Sequence, residues 1–268
     1  MKTLSRIYIA LILIFLYAPL AVMVIFSFNS SNSTSVFAGF SLRWYSELFD
    51  SEATLSALKN TFILAVLSSV ISTVLGAIAA VGILEYRRKW TKTAVMSATN
   101  IPMMNPDIVT GISMMLLFVF IGKFLSLKTS LGFTTVLIAH ITFNLPYVIL
   151  SVMPKLRQMD FHLPEAAADL GCTPIKAFFK VVLPNISSGI VTGFIMAFTL
   201  SLDDFVISYF TTGPDFQTLP ILIYTMTKKR VTPDMYALSS LIFLSVLILL
   251  VLFNISQSKS NKRSIKKR

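Results

Sequence analysis

Six stretches of this 268-residue chain run for about twenty residues or more with almost no charge, and this pattern constrains the fold before anything else does. Ile7–Phe28, Phe62–Leu84 and Met235–Ile255 carry no charged residue. Leu131–Val152 carries none either, but holds His140, Asn144 and Pro146. Ala94–Gly122 carries only Asp107, and Ile186–Phe210 is interrupted by Asp203 and Asp204. A helix rising about 1.5 Å per residue needs about 20 residues to cross the hydrocarbon core. With no water there, each backbone N–H and C=O must be paired within the segment, so each run is expected to be helical. Composition agrees: 55% of residues are hydrophobic, 13% are charged and the mean hydropathy is +0.77. A soluble fold of this make-up would leave too much apolar surface in water. The expected fold class is an all-α integral membrane protein with six transmembrane helices, at about 7–28, 62–84, 94–122, 131–152, 186–210 and 235–255. Lys2 and Arg6 before the first run resemble the start of a secretory signal. That run is longer than a signal's apolar region and no small-x-small cleavage site follows, so a retained first span is expected.

Placing the N-terminus in the cytoplasm puts 16 of the 23 Lys and Arg residues on the inner side and 7 on the outer side. Basic residues collect in cytoplasmic segments, so both termini are expected to lie inside. The same bias accounts for the net charge of +11 without any nucleic-acid partner. The basic segment 259–268 is expected to be a short cytoplasmic tail flanking a membrane domain that spans residues 1–258. Cys172 is the single cysteine and His140 and His162 the only histidines, so neither a disulfide within the chain nor a Cys- or His-rich metal site is expected. Two connections are too long to be mere links: 29–60 on the outside and 154–185 in the cytoplasm.

The cytoplasmic connection reads Leu163-Pro164-Glu165-Ala166-Ala167-Ala168-Asp169-Leu170-Gly171. Pro164 suits a first helical turn and Glu165 complements the positive end of the helix dipole. The alanines favour helix and Gly171 stops it. A second short helix is expected from Pro174 to about Val182, capped by Thr173 and ended by Leu183-Pro184. Glu-Ala-Ala, three residues, Gly171, nine residues, Val181 and Leu183-Pro184 together resemble the EAA signature of ABC importer permeases. Here, as in that family, the pattern precedes the penultimate span, although the family prefers Ile where this chain has Val181. The resemblance implies the type I importer permease fold and a coupling helix, carrying Glu165, Ala166, Ala167 and Gly171, seated on a separate ATPase. No Gly-x-x-x-x-Gly-Lys-Ser/Thr loop is present, so the chain itself is expected to bind no ATP and to hold no catalytic residue or cofactor; ATP and magnesium would belong to the ATPase.

Carboxylates inside spans are costly and mark functional sites by default. Counted along the expected spans, Asp107 lies near mid-depth and Asp203 and Asp204 toward the outer third. No Lys or Arg within the spans could neutralise them, which favours a cationic cargo. On a continuous helix Ser201, Asp204 and Ser208 share one face, while Asp203 is rotated about 100° away, so the two adjacent carboxylates would have different jobs. Pro102 and Pro106 break a helix, and Asn105-Pro106 can restart one just before Asp107. Each has a plainer reading: Asp203 and Asp204 as hydrated interface residues, and Asp107 as a helix N-terminal charge. His140 and Asn144, four residues apart, would bind a neighbouring helix in preference to a ligand. Trp44 and Tyr45 would be interfacial anchors or a cation–π lining for an amine.

A closer resemblance lies in Ser201-Leu202-Asp203-Asp204-Phe205-Val206-Ile207-Ser208-Tyr209-Phe210-Thr211-Thr212-Gly213-Pro214, in Asn105-Pro106-Asp107-Ile108-Val109, in His140-Ile141-Thr142-Phe143 and in Trp44-Tyr45. These look like the PotC-type permeases of spermidine/putrescine importers, and the likeness covers nearly the whole chain. It implies that Trp44, Asp107, Ser201, Asp203 and Asp204 line a polyamine path and that Glu165 couples to the ATPase. It further implies a second related permease subunit, two ATPase subunits, an external polyamine-binding protein and a place in the bacterial inner membrane. An ABC permease for another cationic solute is the alternative. An intramembrane enzyme or a lone channel is disfavoured, because His140 has no evident catalytic partner in sequence.

Overall fold

The computed structural model describes residues 2–31, 36–85, 88–124, 131–160, 162–229 and 233–265. Arg87, Lys128, Arg230 and the last three tail residues, all of which entered the charge count, lie outside the described residues. The order of elements is α1 (Lys2–Phe26), α2 (Arg43–Asp50), α3 (Glu52–Glu85), α4 (Lys89–Met104), α5 (Asp107–Phe124) and α6 (Phe133–Gln158). Then follow α7 (His162–Asp169), α8 (Pro174–Ala177), a π-turn (Phe178–Val182), α9 (Leu183–Asp203), α10 (Val206–Thr211), α11 (Leu219–Lys229) and α12 (Pro233–Ile265). Five segments are long and apolar enough to cross a membrane: Leu4–Phe26, Glu52–Leu84, Asp107–Phe124, Phe133–Gln158 and Pro174–Asp203. Pro233–Ile248, at the start of α12, is a shorter sixth, so the six-span expectation holds. The chain forms two compact units, one of residues 57–221 and one of residues 1–56 with 222–268.

The 57–221 unit is organised around one stripe of α6. His140, Asn144, Val148 and Val152 recur every fourth residue and therefore share a face. Ser201, Ala197, Gly193 and Gly189 of the antiparallel α9 meet them in order. The Ser201 Oγ lies 2.6 Å from His140 Nδ1, and a Cβ built on Gly193 or Gly189 would come within 3.2 Å of the Cα of Val148 or Val152. The third side is α3, whose Ser68 Oγ is 2.9 Å from Ser201 Oγ. A Cβ on its Gly76 would fall 2.8 Å from the Val148 Cβ. In lipid, helices gain little from hydrophobic exclusion, and such close backbone contact supplies the dispersion that joins them. Ala80, Ile83, Ile149, Met153, Leu156, Val182 and Ile186 extend the same core.

In the other unit α12 packs on α1 and α2. The Tyr45 hydroxyl bonds the Ser27 Oγ at 2.7 Å and the Ser240 Oγ at 2.8 Å, tying α2 to both long helices. The backbone of α12 stays helical past residue 259, where the basic segment begins.

The break expected at Asn105-Pro106 is present, Pro102 sits inside α4 without breaking it, and two further details depart from the sequence expectation. The third span is not continuous from Ala94: Asn105 is extended, with ψ 137°, because a residue before proline is pushed out of the helical region. The apolar helix starts afresh at Asp107. The fifth span is also broken, at Asp204, which is extended with ψ 120°. Conversely, Leu183-Pro184 does not end the second loop helix. The ladder widens instead: the Leu183 N–H reaches the Phe178 carbonyl, and this π-turn carries the chain past the proline into α9.

The packing makes a test. Gly76→Ala should cost about 1–3 kcal/mol by overpacking against Val148. Gly82→Ala, whose Cβ would meet nothing within 4 Å, should be neutral or stabilising. Thermal unfolding of the two purified variants measures the difference.

Candidate functional site

His140 is the hub of a buried polar cluster where α6 meets the α9–α10 break. Its Nδ1 is 2.6 Å from the Ser201 Oγ and its Nε2 is 2.9 Å from the Ser208 Oγ and 3.3 Å from the Asp204 Oδ2. A neutral ring with its proton on Nε2 satisfies both sides: Nε2–H donates toward Ser208 and Asp204, and Nδ1 accepts from Ser201. Asp204 is fully engaged. Its Oδ1 accepts from the Ile207 N–H at 3.2 Å and its Oδ2 from the Ser208 N–H at 2.8 Å, which supplies acceptors for the first donors of α10. The side chains of His140 and Asp204 are only 2% and 9% exposed. The break is thus held by a charged group that finds its partners in backbone N–H groups and an imidazole.

Of the residues singled out by sequence, Ser201 and Asp204 come together here, joined by His140, Ser208 and Ser68. They meet across a helix break, not along one continuous helix face. Asp203, the last residue of α9, points away and is exposed. Asp107, the first residue of α5, is exposed too. Helix α5 packs on α10 through Gly111, where an added Cβ would lie 3.5 Å from the Ile207 Cα and 3.4 Å from the Val206 carbonyl oxygen. Asp107 stands four residues before that contact, at the start of α5, whereas Asp203 ends α9 on the far side of the break at Asp204. Asp107 also lies within electrostatic range of the Tyr147 phenol on α6. Among the described residues the basic groups within 4 Å of a carboxylate are Arg43 at Glu47, His140 at Asp204 and His162 at Glu165, and none reaches Asp107 or Asp203.

Trp44 belongs to the other unit and is buried, 6% exposed, with its indole N–H donating to the Asn29 carbonyl at 2.6 Å. The cation over its ring is Arg43 of its own helix, at 5.2 Å. It pins α2 to the end of the first span and presents no open face to a cargo. Tyr45 is occupied by its two serine partners.

The connection between α6 and α9 folds as a helix, turn and helix. At the end of α7, Gly171 takes φ +82°, its N–H bonds the Ala168 carbonyl and the Cys172 N–H bonds the Ala167 carbonyl, a Schellman closure. Thr173 caps α8 by accepting from the Lys176 N–H. Glu165 and Ala166 are exposed, while Ala167 is buried against the rest of the connection. Leu170, Ile175 and Phe179 leave large apolar side chains exposed, Leu170 by 87%.

Sequence reasoning placed His140 against a neighbouring helix, and it is there. It did not foresee that His140 would hold two serines and a carboxylate at once, nor that Ser68 would take part. The signal for Ser68 is the run Ser68-Ser69 with Ser72-Thr73 inside an otherwise apolar span. Asn144 is fully buried, but neither atom of its amide finds a partner, which carries a desolvation cost of about 1–3 kcal/mol.

A helical chain whose spans break at acidic residues and whose connection before the penultimate span is of EAA type is a membrane component of a transport system. Comparison with known proteins bears this out: residues 72–266 match the binding-protein-dependent transport system inner membrane component family, and the chain belongs to it. It is 40% identical over 228 residues to the putrescine transport system permease protein PotI of Escherichia coli (strain K12), covering 85% of this chain and 81% of that one. It is 36% identical over 237 residues to the spermidine/putrescine transport system permease protein PotC of the same strain, covering 88% and 87%. Among solved structures, a chain of a bacterial ABC transporter involved in import of the acidic polysaccharide alginate superposes with a TM-score of 0.73 at 17% identity, covering 97% of this chain and 94% of that one. That likeness concerns the fold alone.

Removing the hub leaves a buried carboxylate short of a partner. His140→Leu should cost about 3–5 kcal/mol, and combining it with Asp204→Asn should cost clearly less than the sum of the two single changes. A double-mutant cycle on the unfolding of the purified protein reads this coupling.

Proposed function

We propose that this chain is a membrane-spanning subunit of an ATP-driven polyamine importer, forming half of the path for putrescine or spermidine. The observation that carries the proposal is the pair of exposed carboxylates, Asp107 and Asp203, each set at a helix break and free of any ion pair with a cation of the described chain. Discontinuous helices are a recurring way to build transport sites, because backbone groups and charges gather where the ladder stops. A polyamine carries ammonium groups spaced along a flexible chain, so carboxylates on separate helices can each take one. Two curated relatives named for putrescine and spermidine transport support the same cargo.

The residues divide the work. Asp107 and Asp203 meet the cargo. Asp204 and Ser201 are positioning residues: with His140 they fix the break that aims Asp203. Trp44 acts through the outer connection, where a binding protein would deliver cargo. A solved relative of this fold was captured in complex with its substrate-bound periplasmic protein. Glu165 and the exposed apolar residues of α7–α8 form the seat for an ATPase subunit, while Ala167 and Gly171 shape that seat from within. A second permease subunit completes the path, two ATPases bind ATP and magnesium, and both termini lie in the cytoplasm. Closure of the ATPases on ATP draws the coupling helices together and opens the path outward; hydrolysis resets it.

Uptake of labelled putrescine and spermidine by cells whose own copy is deleted tests the cargo. Asp107→Asn and Asp203→Asn should each lower uptake at least about tenfold at subsaturating cargo, a loss of about 1.4 kcal/mol or more, with unchanged protein level. Uptake that is indifferent to loss of the chain would refute the assignment. For the ATPase seat, Leu170→Asp or Ile175→Asp should abolish copurification of the ATPase without lowering the unfolding temperature of the permease.

A further inference from the structure

Away from the carboxylates, two cavities of the 57–221 unit run into each other between α4 and the end of α6. One, of about 370 Å³, gathers Lys89, Lys92 and Arg157 with Ser97 and Asn100. The other, of about 310 Å³, is an apolar groove of Met96, Leu150, Met153 and Pro154. Met96 and Arg157 line both, so the basic end opens directly into the apolar one. No carboxylate lines either cavity, and none of the three cations takes part in an ion pair among the described residues. The Lys92 Nζ is held 3.4 Å from the Leu84 carbonyl at the end of α3, so its ammonium is anchored beside the cavity.

The start of the helix that carries most of this site has an interfacial character. Every described side chain of α4 is at least partly exposed, and α4 is too polar to count with the membrane-crossing helices. Yet it leaves Trp90 82% exposed at its start and Ile101 and Met104 exposed near its end. A Trp beside lysines at a helix end marks the headgroup level. A basic flank alone would be satisfied by water. Three cations converging on one cavity that continues as an apolar groove match a molecule with an anionic head and an apolar tail. Basic pockets between helices on the cytoplasmic side hold acidic lipid headgroups by this chemistry.

We propose that this double cavity binds an anionic phospholipid of the inner leaflet, with its phosphate among Lys89, Lys92 and Arg157 and an acyl chain along Met96, Leu150 and Met153. The inference rests on the inward orientation of the α3–α4 connection and not on the identity of the cargo, so it stands or falls apart from polyamine uptake.

Native mass spectrometry of the full chain in detergent, titrated with phosphatidylglycerol or phosphatidylcholine, tests it. Phosphatidylglycerol should be retained at least about fivefold more than phosphatidylcholine. The triple variant Lys89→Gln, Lys92→Gln, Arg157→Gln should lose that preference, and Lys89→Arg, Lys92→Arg, Arg157→Lys, which keeps the charge, should restore it. Equal retention of the two lipids by the wild type would overturn the proposal, as would a preference that survives the Gln triple variant. So would displacement of the lipid by millimolar glycerol 3-phosphate, which would make this a site for a free phosphate ester. Loss of ATPase copurification in the Gln variant with its lipid preference intact would assign the surface to a protein and equally overturn the proposal.

Discussion

The packing of α3, α6 and α9 depends on one stripe, and the stripe is topped by one charge. Glycine and alanine on α3 and α9 let three backbones approach around Val148 and Val152, where dispersion joins them. One turn beyond Asn144 the same stripe becomes polar, and His140 gathers Ser201, Ser208 and Asp204. A buried carboxylate is costly in such a place unless each lone pair has work to do. Here it takes two backbone N–H groups and an imidazole, and in doing so ends one helix and begins the next. The break is therefore a consequence of the charge, and the charge is tolerated because of the break.

That arrangement gives two adjacent aspartates opposite fates. Asp204 is used up internally, while Asp203, turned the other way at the end of α9, stays available. Asp107 arises by a different route to a similar end: Pro106 forces Asn105 out of the helix, and the first residue of the new helix is the carboxylate. A carboxylate at a helix N-terminus is favoured by the dipole, which suits Asp107 to the first position of α5. Two helix breaks, one made by a proline and one by a carboxylate, thus each leave an acidic group exposed. On this reading cargo selection follows from exposed charge, and its geometry from buried charge.

Much of this was legible in the sequence. Hydropathy marked the spans because bilayer thickness sets their length, and the Pro164–Gly171 segment announced a capped helix through local chemistry alone. The Asn105-Pro106 break was legible because the restriction before proline is local. The Asp204 break was not, because no glycine or proline marks it; it exists only once His140, sixty-four residues away in sequence, is in place. Trp44 misled for the same reason: its residue type suggests an interface, but the Asn29 carbonyl draws it inward. Pro184 misled in the other sense, since a π-turn absorbs it and the helix goes on. Partners distant in sequence decided the first two, and a local widening of the helical ladder decided the third.

The central claim is that Asp107 and Asp203 receive the cargo while Asp204 stays locked to His140. The most direct measurement is a structure of the assembled importer with putrescine held in the membrane path. The account predicts ammonium groups within about 3–4 Å of the Asp107 and Asp203 carboxylates, with the Asp204–His140 contact intact. An ammonium bound to Asp204 with His140 displaced, or cargo resting in a stretch of the path that neither Asp107 nor Asp203 lines, would contradict it.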